Sequence, residues 1–325
     1  MAVRERHKEG KMYDIVSIGS AVMDLILRSP SLQPGEPLPS GGKIEVEELF
    51  LASGGGGSNT AAGFSRLGLK TACIARFGDD LFGQFLLKDL EKEKFDKKYL
   101  MKRQGDMTDC SVIVVYADGS RVILVHRGKT RVDEAIFPWT ALEETKWFYI
   151  ASLEGNVDLL TKVIEKSVEK EIKLALNPGS RELKEKDKLL SFFPKIEALI
   201  INLEEAILFT GEQSEDLALK KISQIGPKIV VVTMGKQGAH LFSQGKHLFA
   251  EVFSGPIIDE LGAGDGFSSG FVAGLVKGFP LEKILKMGMA NGKSVVTKLG
   301  AKHGLLDEKG MEDWLGRELK IEQLI

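Results

Sequence analysis

The residue best placed for chemistry is Asp265, which directly follows the three small residues Gly262, Ala263 and Gly264. A helical pattern over 268–277 puts these small residues at a predicted helix start. Backbone N–H groups converge there and the helix dipole adds partial positive charge, which suits an anion such as a phosphoryl group. A carboxylate at this place either caps the helix or acts as a base toward a reacting hydroxyl. From these residues alone both interpretations stay open.

A second candidate site is the glycine run 54–57, which lies between a predicted strand and a helical pattern over 59–67. Four consecutive glycines weaken regular structure, and such a run commonly allows close backbone approach to a ligand. A flexible linker is the alternative interpretation. The run does not match GxGxxG, because Asn59 stands where a third glycine is needed, so a nicotinamide-type fingerprint is absent. A Walker loop is absent too, because Gly288 is one residue too close to the Gly-Lys-Ser at 292–294.

The composition is that of an ordinary globular protein of 325 residues, with 43% hydrophobic and 28% charged residues. The formal charge is −2, with 44 basic and 46 acidic residues, so no nucleic-acid or membrane partner is indicated. The 2 cysteines and 5 scattered histidines show no disulfide framework or metal-binding spacing. The start of the chain, 1–11, is a polar tail without the apolar stretch of a signal peptide. No apolar run reaches the length of a membrane span. These features predict a cytoplasmic protein.

The elements that must position these residues are short apolar runs alternating with amphipathic segments such as 157–170. This alternation predicts an α/β fold in three layers, with a doubly wound, mainly parallel sheet covered by helices on both faces. The predicted strands are 13–18, 71–77, 147–150, 172–176, 198–201 and 229–232.

Two β-rich segments, 31–51 and 107–128, do not fit the alternation and predict a small β-sheet lid. Within them, 43–49 alternates like a half-exposed strand, and the runs 110–116 and 121–126 flank an Asp-Gly turn typical of a hairpin. The exposed edges and apolar faces of such a lid suggest pairing with a second copy, as a homodimer. The α/β core then comprises 12–30, 52–106 and 129–325.

Both glycine motifs, in this order and at this separation, resemble the signatures of the ribokinase (PfkB-type) family of carbohydrate kinases. The stretch 56–59, with Gly68 and Gly78 downstream, is similar to the N-terminal signature, and 259–270 to the C-terminal one. The resemblance extends from Ile15 to about Ala301. It implies a ribokinase-like fold and ATP-dependent phosphorylation of a hydroxyl on a small sugar. It also implies Asp265 as the general base, with the amides of 262–265 as the anion hole.

The resemblance further implies residues for each ligand. The acceptor-binding positions are Asp24, Gly55, Gly56, Gly57, Asn59 and Glu154. The nucleotide-binding positions are Asn202, Thr233, Gly235, Gly238 and Asn291. Glu205 is similar to the acid that helps to hold Mg²⁺ through water, with a solvated helix start as the alternative interpretation. Asp259 lies where relatives bind a monovalent cation such as K⁺. The family usually has a small hydroxyl residue after this aspartate, but here it is Glu260, which puts cation use in question.

Three alternatives to a free-sugar kinase remain. A nucleoside kinase of the same family would need an aromatic base pocket, and the lid segments offer few aromatics, namely Phe50 and Tyr116. A phosphosugar kinase would need a basic cluster, which Lys43, Arg103, Arg127 and Lys129 can supply. A non-catalytic binding or regulatory protein would be expected to lose Asp265 or the glycines, and both are present.

Overall fold

The computed structural model describes residues 12–29, 31–36, 40–116, 118, 120–129, 131–243 and 245–324. The predicted polar tail 1–11 and two residues of the predicted turn 117–120 lie outside this part of the chain. The described residues form a large sheet, a small sheet and the surrounding helices.

The large sheet has 10 strands in the order β14-β13-β12-β11-β10-β9-β8-β1-β4-β5. Strands β12 to β14 pair antiparallel at one edge, and the other neighbours pair parallel. This confirms the predicted doubly wound, mainly parallel sheet. Its strands are β1 (Ile15–Ile18), β4 (Thr71–Gly78), β5 (Leu100–Arg103), β8 (Trp147–Ile150), β9 (Lys173–Leu176), β10 (Ala198–Asn202), β11 (Ile229–Thr233), β12 (Ala239–Ser243), β13 (Lys246–Ala250) and β14 (Ile321–Leu324).

The helices cover both faces of this sheet, because successive strand residues point to opposite sides. Phe148 and Ile150 join one core cluster with α4, whereas Trp147 and Tyr149 join a second cluster with α9 and α10. The helices are α1 (Gly56–Arg66), α2 (Leu81–Leu90), α3 (Ala141–Glu144), α4 (Val157–Glu169), α5 (Ser180–Lys184), α6 (Lys186–Leu190), α7 (Leu203–Thr210), α8 (Glu215–Ile222), α9 (Ala263–Val276), α10 (Leu281–Val295) and α11 (Glu308–Leu315). In the described part of the chain, none of them is long and apolar enough to cross a bilayer.

The small sheet has 4 strands in the order β3-β2-β6-β7, with bounds Val22–Arg28 (β2), Glu48–Gly54 (β3), Cys110–Val115 (β6) and Arg121–His126 (β7). Its inner face carries Ile26, Ala52 and Ile113, which are buried and pack with Leu261 of the large domain. Strands β6 and β7 form the predicted hairpin.

Three sequence expectations need correction. The strand expected over 43–49 is β3, which begins at Glu48 and continues to Gly54, into the glycine run. Segment 12–30 was expected in the core, but it contributes β2 to the small sheet. The helix expected to begin at Ser268 begins at Ala263, so two of the three small residues taken as the turn before the helix, Ala263 and Gly264, form its first turn.

Candidate active site

The start of α9 presents Asp265 without using it as a cap. The N-cap is Gly262, whose backbone is left-handed (φ 75°), and Asp265 is the third residue of the helix. A Cβ at Gly262 would lie 2.5 Å from the Cβ of Ala301, so only glycine fits there. A Cβ at Gly264 would meet no atom within 4 Å, which leaves open space above the helix start. The capping interpretation of Asp265 is therefore wrong.

The carboxylate of Asp265 is held by one hydrogen bond from α1. The side-chain amide of Asn59 donates to Asp265 Oδ2 at 2.7 Å. The other oxygen, Oδ1, faces Gly56, where a Cβ would lie 3.5 Å away. Burial raises the pKa of Asp265, while the hydrogen bond from Asn59 and the charge of Lys302 lower it. A carboxylate with a raised pKa, and with one oxygen that accepts no hydrogen bond from the residues that the structure describes, is suited to accept a proton.

The glycine run brings the backbone against the core and against a second carboxylate. A Cβ at Gly54 would lie 1.8 Å from Asp24 Oδ2, and one at Gly57 would lie 2.7 Å from the backbone of Gly19. The run is therefore a close-packed element and not a flexible linker. Asp24 lies on the inner face of β2 and is buried, and its burial raises its pKa to about 6.

A buried lysine that the sequence reasoning missed lies near these acids. The Nζ of Lys302 donates to the backbone oxygen of Ser53 at 2.6 Å. Burial lowers the pKa of Lys302 to about 8, against the opposing charges of Asp24 and Asp265. The lysine follows α10 in a segment with no chemical signature of its own, so the sequence offered no signal for it.

Glu154 is positioned by a buried carboxylate, Glu182. Glu182 accepts hydrogen bonds from the backbone amides of Leu153 (2.6 Å) and Gly155 (3.0 Å) and from the hydroxyl of Ser152 (3.0 Å). Between these amides, Glu154 adopts a left-handed backbone (φ 60°), which is unusual for a residue with a side chain. Sequence reasoning missed Glu182, because a single acid in a helical segment carries no pattern.

The side chain of Glu154 also reaches the hairpin of the small sheet. Arg127 Nη1 lies 2.6 Å from Glu154 Oε1 and 3.1 Å from Asp109 Oδ2. Burial raises the pKa of Glu154, and the Arg127 charge opposes this rise. Arg127 therefore connects the loop after β8 to the chain just before β6.

A cavity of about 360 Å³ lies beside the start of α9. Ala263 and Gly264 line it, as do four of the five predicted nucleotide positions: Asn202, Thr233, Gly235 and Gly238. Its apolar wall, which sequence reasoning did not identify, comprises Val252, Ile257, Phe267, Met289 and Val296. An apolar wall next to a helix N-terminus suits a ligand with a flat ring and an anionic group.

Asn291, the fifth predicted nucleotide position, is outside this lining. Its side chain is fully buried and donates to Gly266 O (2.9 Å) and Ser269 Oγ (3.0 Å). Its oxygen accepts from the amide of Leu306 at 2.9 Å. The side chain thus ties α10 to α9, and its neighbours Met289 and Gly292 are the ones that face the cavity.

The two acids expected at cations already have backbone partners. Glu205 and Asn202 form a capping box at α7, in which Glu205 Oε2 accepts from the Asn202 amide at 2.9 Å. Burial raises the pKa of Glu205, and in the part of the chain that the structure describes no hydrogen bond is found to its second carboxylate oxygen. Asp259 is buried, and its oxygens accept from the amides of Leu261 (2.9 Å) and Gly300 (2.8 Å). Among the described residues, no group of three or more His, Cys, Asp or Glu could hold a metal.

The doubly wound sheet, the buried carboxylate of Asp265 at a glycine-rich helix start, and the adjacent cavity with its apolar wall form a site that suits phosphoryl transfer. Residues 12–308 match the family described as pfkB family carbohydrate kinase, so the chain belongs to that family. It is accordingly an ATP-dependent phosphotransferase of the carbohydrate kinase class, and the resemblance drawn from the sequence is confirmed.

Individual relatives differ in the reaction that their names state. A ribokinase from Staphylococcus aureus (strain COL) is 30% identical over 272 residues, covering 81% of this chain and 86% of the relative. An ATP-dependent 6-phosphofructokinase from Thermoanaerobacterium thermosaccharolyticum is 24% identical over 307 residues, covering 90% and 91%. A putative ribokinase II from E. coli, solved with ATP and Mg²⁺, has a TM-score of 0.80 at 19% identity, covering 94% and 99%. The last confirms the fold, including a separate small sheet.

Proposed function

We propose that this protein transfers a phosphoryl group from ATP to a hydroxyl of a small, uncharged sugar, with Asp265 as the general base. The observation that carries the proposal is the Asn59–Asp265 pair. Asn59 donates to Asp265, while its own side-chain oxygen is buried and has no hydrogen-bond partner in the described part of the chain. A buried acceptor without a donor is costly. One sugar hydroxyl that donates to Asn59 would place the neighbouring hydroxyl of the same sugar beside Oδ1 of Asp265, to which that second hydroxyl can give its proton.

The reaction then needs few protein groups. Asp265 accepts the proton as the sugar hydroxyl attacks the terminal phosphorus and the bond to ADP breaks. The first amides of α9, from Ala263 onward, stabilise the charge on the transferring phosphoryl group. Glu205 and Asn202 lie at the carboxyl end of β10, where Glu205 would orient water on Mg²⁺. When bound, Mg²⁺ neutralises charge on the nucleotide phosphates.

The charges near the acceptor favour a neutral sugar over a phosphosugar. Asp24 and Asp265 lie on either side of the glycine run, and Glu154 and Asp109 hold Arg127 between them. A sugar phosphate would therefore meet carboxylates. Of the two cations near them, Arg127 is paired with Glu154 and Asp109, and Lys302 is buried and donates to the backbone oxygen of Ser53. The other predicted basic residues are engaged or exposed, since Arg103 donates to the backbone oxygen of Lys129, and the side chains of Lys43 and Lys129 are exposed.

A nucleoside acceptor has less support from the small sheet. Phe50 and Tyr116 are the aromatic residues that the lid segments offer for a base pocket. The ring of Phe50 already packs against the ring of His303, at a centroid distance of 6.0 Å. Carboxylates and amides bind hydroxyl groups, whereas a base would need an apolar or stacking surface. We therefore keep nucleoside phosphorylation as the second candidate.

We also propose that the small sheet acts as a lid and pairs with a second copy of the chain. Cross-strand neighbours Leu51, Leu25, Val112 and Leu124 form one row on its outer face. The adjacent row is Leu49, Leu27, Val114 and Val122. Leu49 is 60% exposed and Leu124 is 58% exposed, so the residues that the structure describes leave these two aliphatic rows uncovered. Identical sheets stacked face to face would cover both.

An ADP-release screen tests the reaction directly. Wild-type protein with Mg·ATP is incubated with free sugars, nucleosides and sugar phosphates, and Asp265→Asn serves as the inactive control. We expect turnover with a sugar that exceeds ATP hydrolysis in water by at least about 100-fold. Turnover restricted to nucleosides or to phosphosugars would replace the proposed acceptor class. If ATP binds but no acceptor is phosphorylated, the non-catalytic interpretation would stand instead.

A further inference from the structure

Three charged side chains from separate elements meet at the nucleotide cavity. Arg121 is the first residue of β7, Glu260 precedes the start of α9, and Lys236 lies in the turn after β11. Arg121 Nη1 lies 3.5 Å from Glu260 Oε2, and Lys236 Nζ lies 3.2 Å from Glu260 Oε1. All three line the cavity together with Ala263 and Gly264. The small sheet is thereby connected to the nucleotide cavity by one carboxylate.

Strand register explains why Arg121 reaches the cavity. In β7, Val122 and Leu124 lie on the outer apolar face, so Arg121 points to the inner side, toward the large domain. Its Nε is buried and has no hydrogen-bond partner among the residues that the structure describes. Arginine has five donors in a planar fork, and the pair with Glu260 at 3.5 Å occupies little of that capacity.

The charge balance of this cluster indicates what it binds. Two cations and one carboxylate give this cluster a net charge of about +1 beside the helix N-terminus, which also favours an anion. Lys293 also lines the cavity and Asp118 interacts with the charge of Lys236, and these two opposite charges leave the local sum at about +1. Uncharged ligands would gain nothing from the free donor of Arg121, whereas phosphate oxygens accept such hydrogen bonds in a bidentate manner. The apolar wall of the same cavity accommodates the ring of a nucleotide.

We infer that Arg121 and Lys236 contact the outer phosphates of the nucleotide, and that Glu260 is the positioning residue that holds both cations at this place. The inference rests on the proposed use of the cavity as the nucleotide site. With a small hydroxyl residue at position 260, Arg121 and Lys236 would repel each other. The carboxylate of Glu260 offsets this repulsion, because each of its oxygens lies near one of the two cations. Because Arg121 belongs to the small sheet and already lines the cavity, a bound nucleotide would hold that sheet against the large domain.

Binding of two nucleotides distinguishes this role from a structural one. The Mg²⁺ complex of β,γ-methylene-ATP carries all three phosphates and is not cleaved by transfer, whereas AMP lacks the outer two. We expect Arg121→Gln to weaken the analogue about 10-fold to 100-fold, the range for a lost hydrogen bond to a charged group. AMP affinity should change by less than about 2-fold. Lys236→Gln should act in the same direction but more weakly, because Lys236 is 67% exposed.

Arg28→Gln is the matched control. Arg28 lies in β2 of the same sheet, pairs with Glu48 at 2.8 Å and is not part of the cavity lining. It should leave both affinities unchanged. Equal losses for the analogue and AMP, or an Arg121→Gln variant that binds the analogue like wild type, would overturn the inference. Wild-type protein that binds no analogue would instead refute the proposed nucleotide site itself.

A double-mutant cycle tests Glu260 separately. If Glu260 positions Arg121 and Lys236, Glu260→Gln should weaken the analogue about 3-fold to 10-fold in the wild-type background, and by a smaller factor, the part that acts through Lys236, in the Arg121→Gln background. If Glu260 only repels phosphate, Glu260→Gln would strengthen binding in both backgrounds. That result would contradict the positioning role.

Discussion

Replacing Asp265 with asparagine removes the proton acceptor while changing almost nothing else. The side chain keeps its size, and its oxygen can still accept from Asn59, whose amide lies 2.7 Å from Asp265 Oδ2. The amide –NH₂ then occupies the position of Oδ1, next to Gly56, where it can donate to a hydroxyl but cannot take its proton. Helix α9 should be unaffected, because its N-cap is Gly262.

The expected loss follows from the value of general-base assistance, about 10²–10⁴-fold, which corresponds to about 3–5.5 kcal/mol of activation free energy. Steady-state ADP release gives kcat, and calorimetric titration gives the affinities for nucleotide and sugar, which should stay within about 3-fold of wild type. The pH profile adds a second readout. Because the pKa of Asp265 is raised, wild-type kcat/KM should fall as pH drops through that pKa, and the variant should lack this limb.

Asp307→Asn is the matched control, because Asp307 is a true N-cap: it accepts from the Gly310 amide at 2.8 Å at the start of α11. Asparagine caps about as well as aspartate, so this variant should keep its rate. An Asp265→Asn variant that turned over within a few-fold of wild type would refute the assignment of the base.

Four further changes have defined outcomes. Glu205→Gln should reduce activity at limiting Mg²⁺ and recover with excess metal; equal activity at low Mg²⁺ would make Glu205 only a helix cap. Leu124→Asp should shift the mass in sedimentation from dimer to monomer, and a monomeric wild type would contradict the proposed interface. Glu182→Ala should lower the free energy of unfolding by about 3 kcal/mol or more, because donors of the loop 152–155 lose their partner, whereas Glu182→Gln should lose less than half of that. Asp24 has a pKa raised to about 6 in the folded state, so it binds a proton more tightly in the folded than in the unfolded chain. The free energy of unfolding should therefore fall by up to about 3 kcal/mol as pH rises from about 4 to 6. In denaturant titrations, Asp24→Asn should remove this pH dependence.

The sequence predicted the elements that local periodicity encodes. Strand β8 was predicted with its observed bounds, and the hairpin β6–β7 within one residue, because apolar runs and turn residues mark them directly. Strand β2 was not separated from the core, since its hydrophobic pattern is the same in either sheet and its placement depends on pairing with β3 and β6. The start of helix α9 was predicted five residues too late, at Ser268 instead of Ala263, because the residues between them are mostly small and show no hydrophobic periodicity.

The candidate site was predicted where a motif spans neighbouring residues, and missed where contacts join distant ones. Asp265 and Asn59 come from the two glycine motifs, and the structure brings them together across 206 positions of sequence. Lys302, Glu182 and Arg121 are single charged residues in unremarkable segments, and their roles arise only from burial and from neighbours distant in sequence. Asn291 shows the converse, because the helix that carries it borders the cavity while its side chain is used inside the core.

The register of the small sheet joins the proposed lid, dimer and nucleotide contacts in one physical argument. Residues alternate between faces, so β2 presents Asp24 inward and Leu25 outward, and β7 presents Arg121 inward and Val122 outward. A second copy packed on the outer face would restrict the strands whose inner side chains reach the acceptor and the phosphates. We therefore expect Leu124→Asp, which lies on the outer face only, to raise the KM values for sugar and ATP as well as to disrupt the dimer. Unchanged KM values in a fully monomeric Leu124→Asp variant would show that the inner face is ordered by the large domain alone, through the Arg121–Glu260 and Arg127–Glu154 pairs.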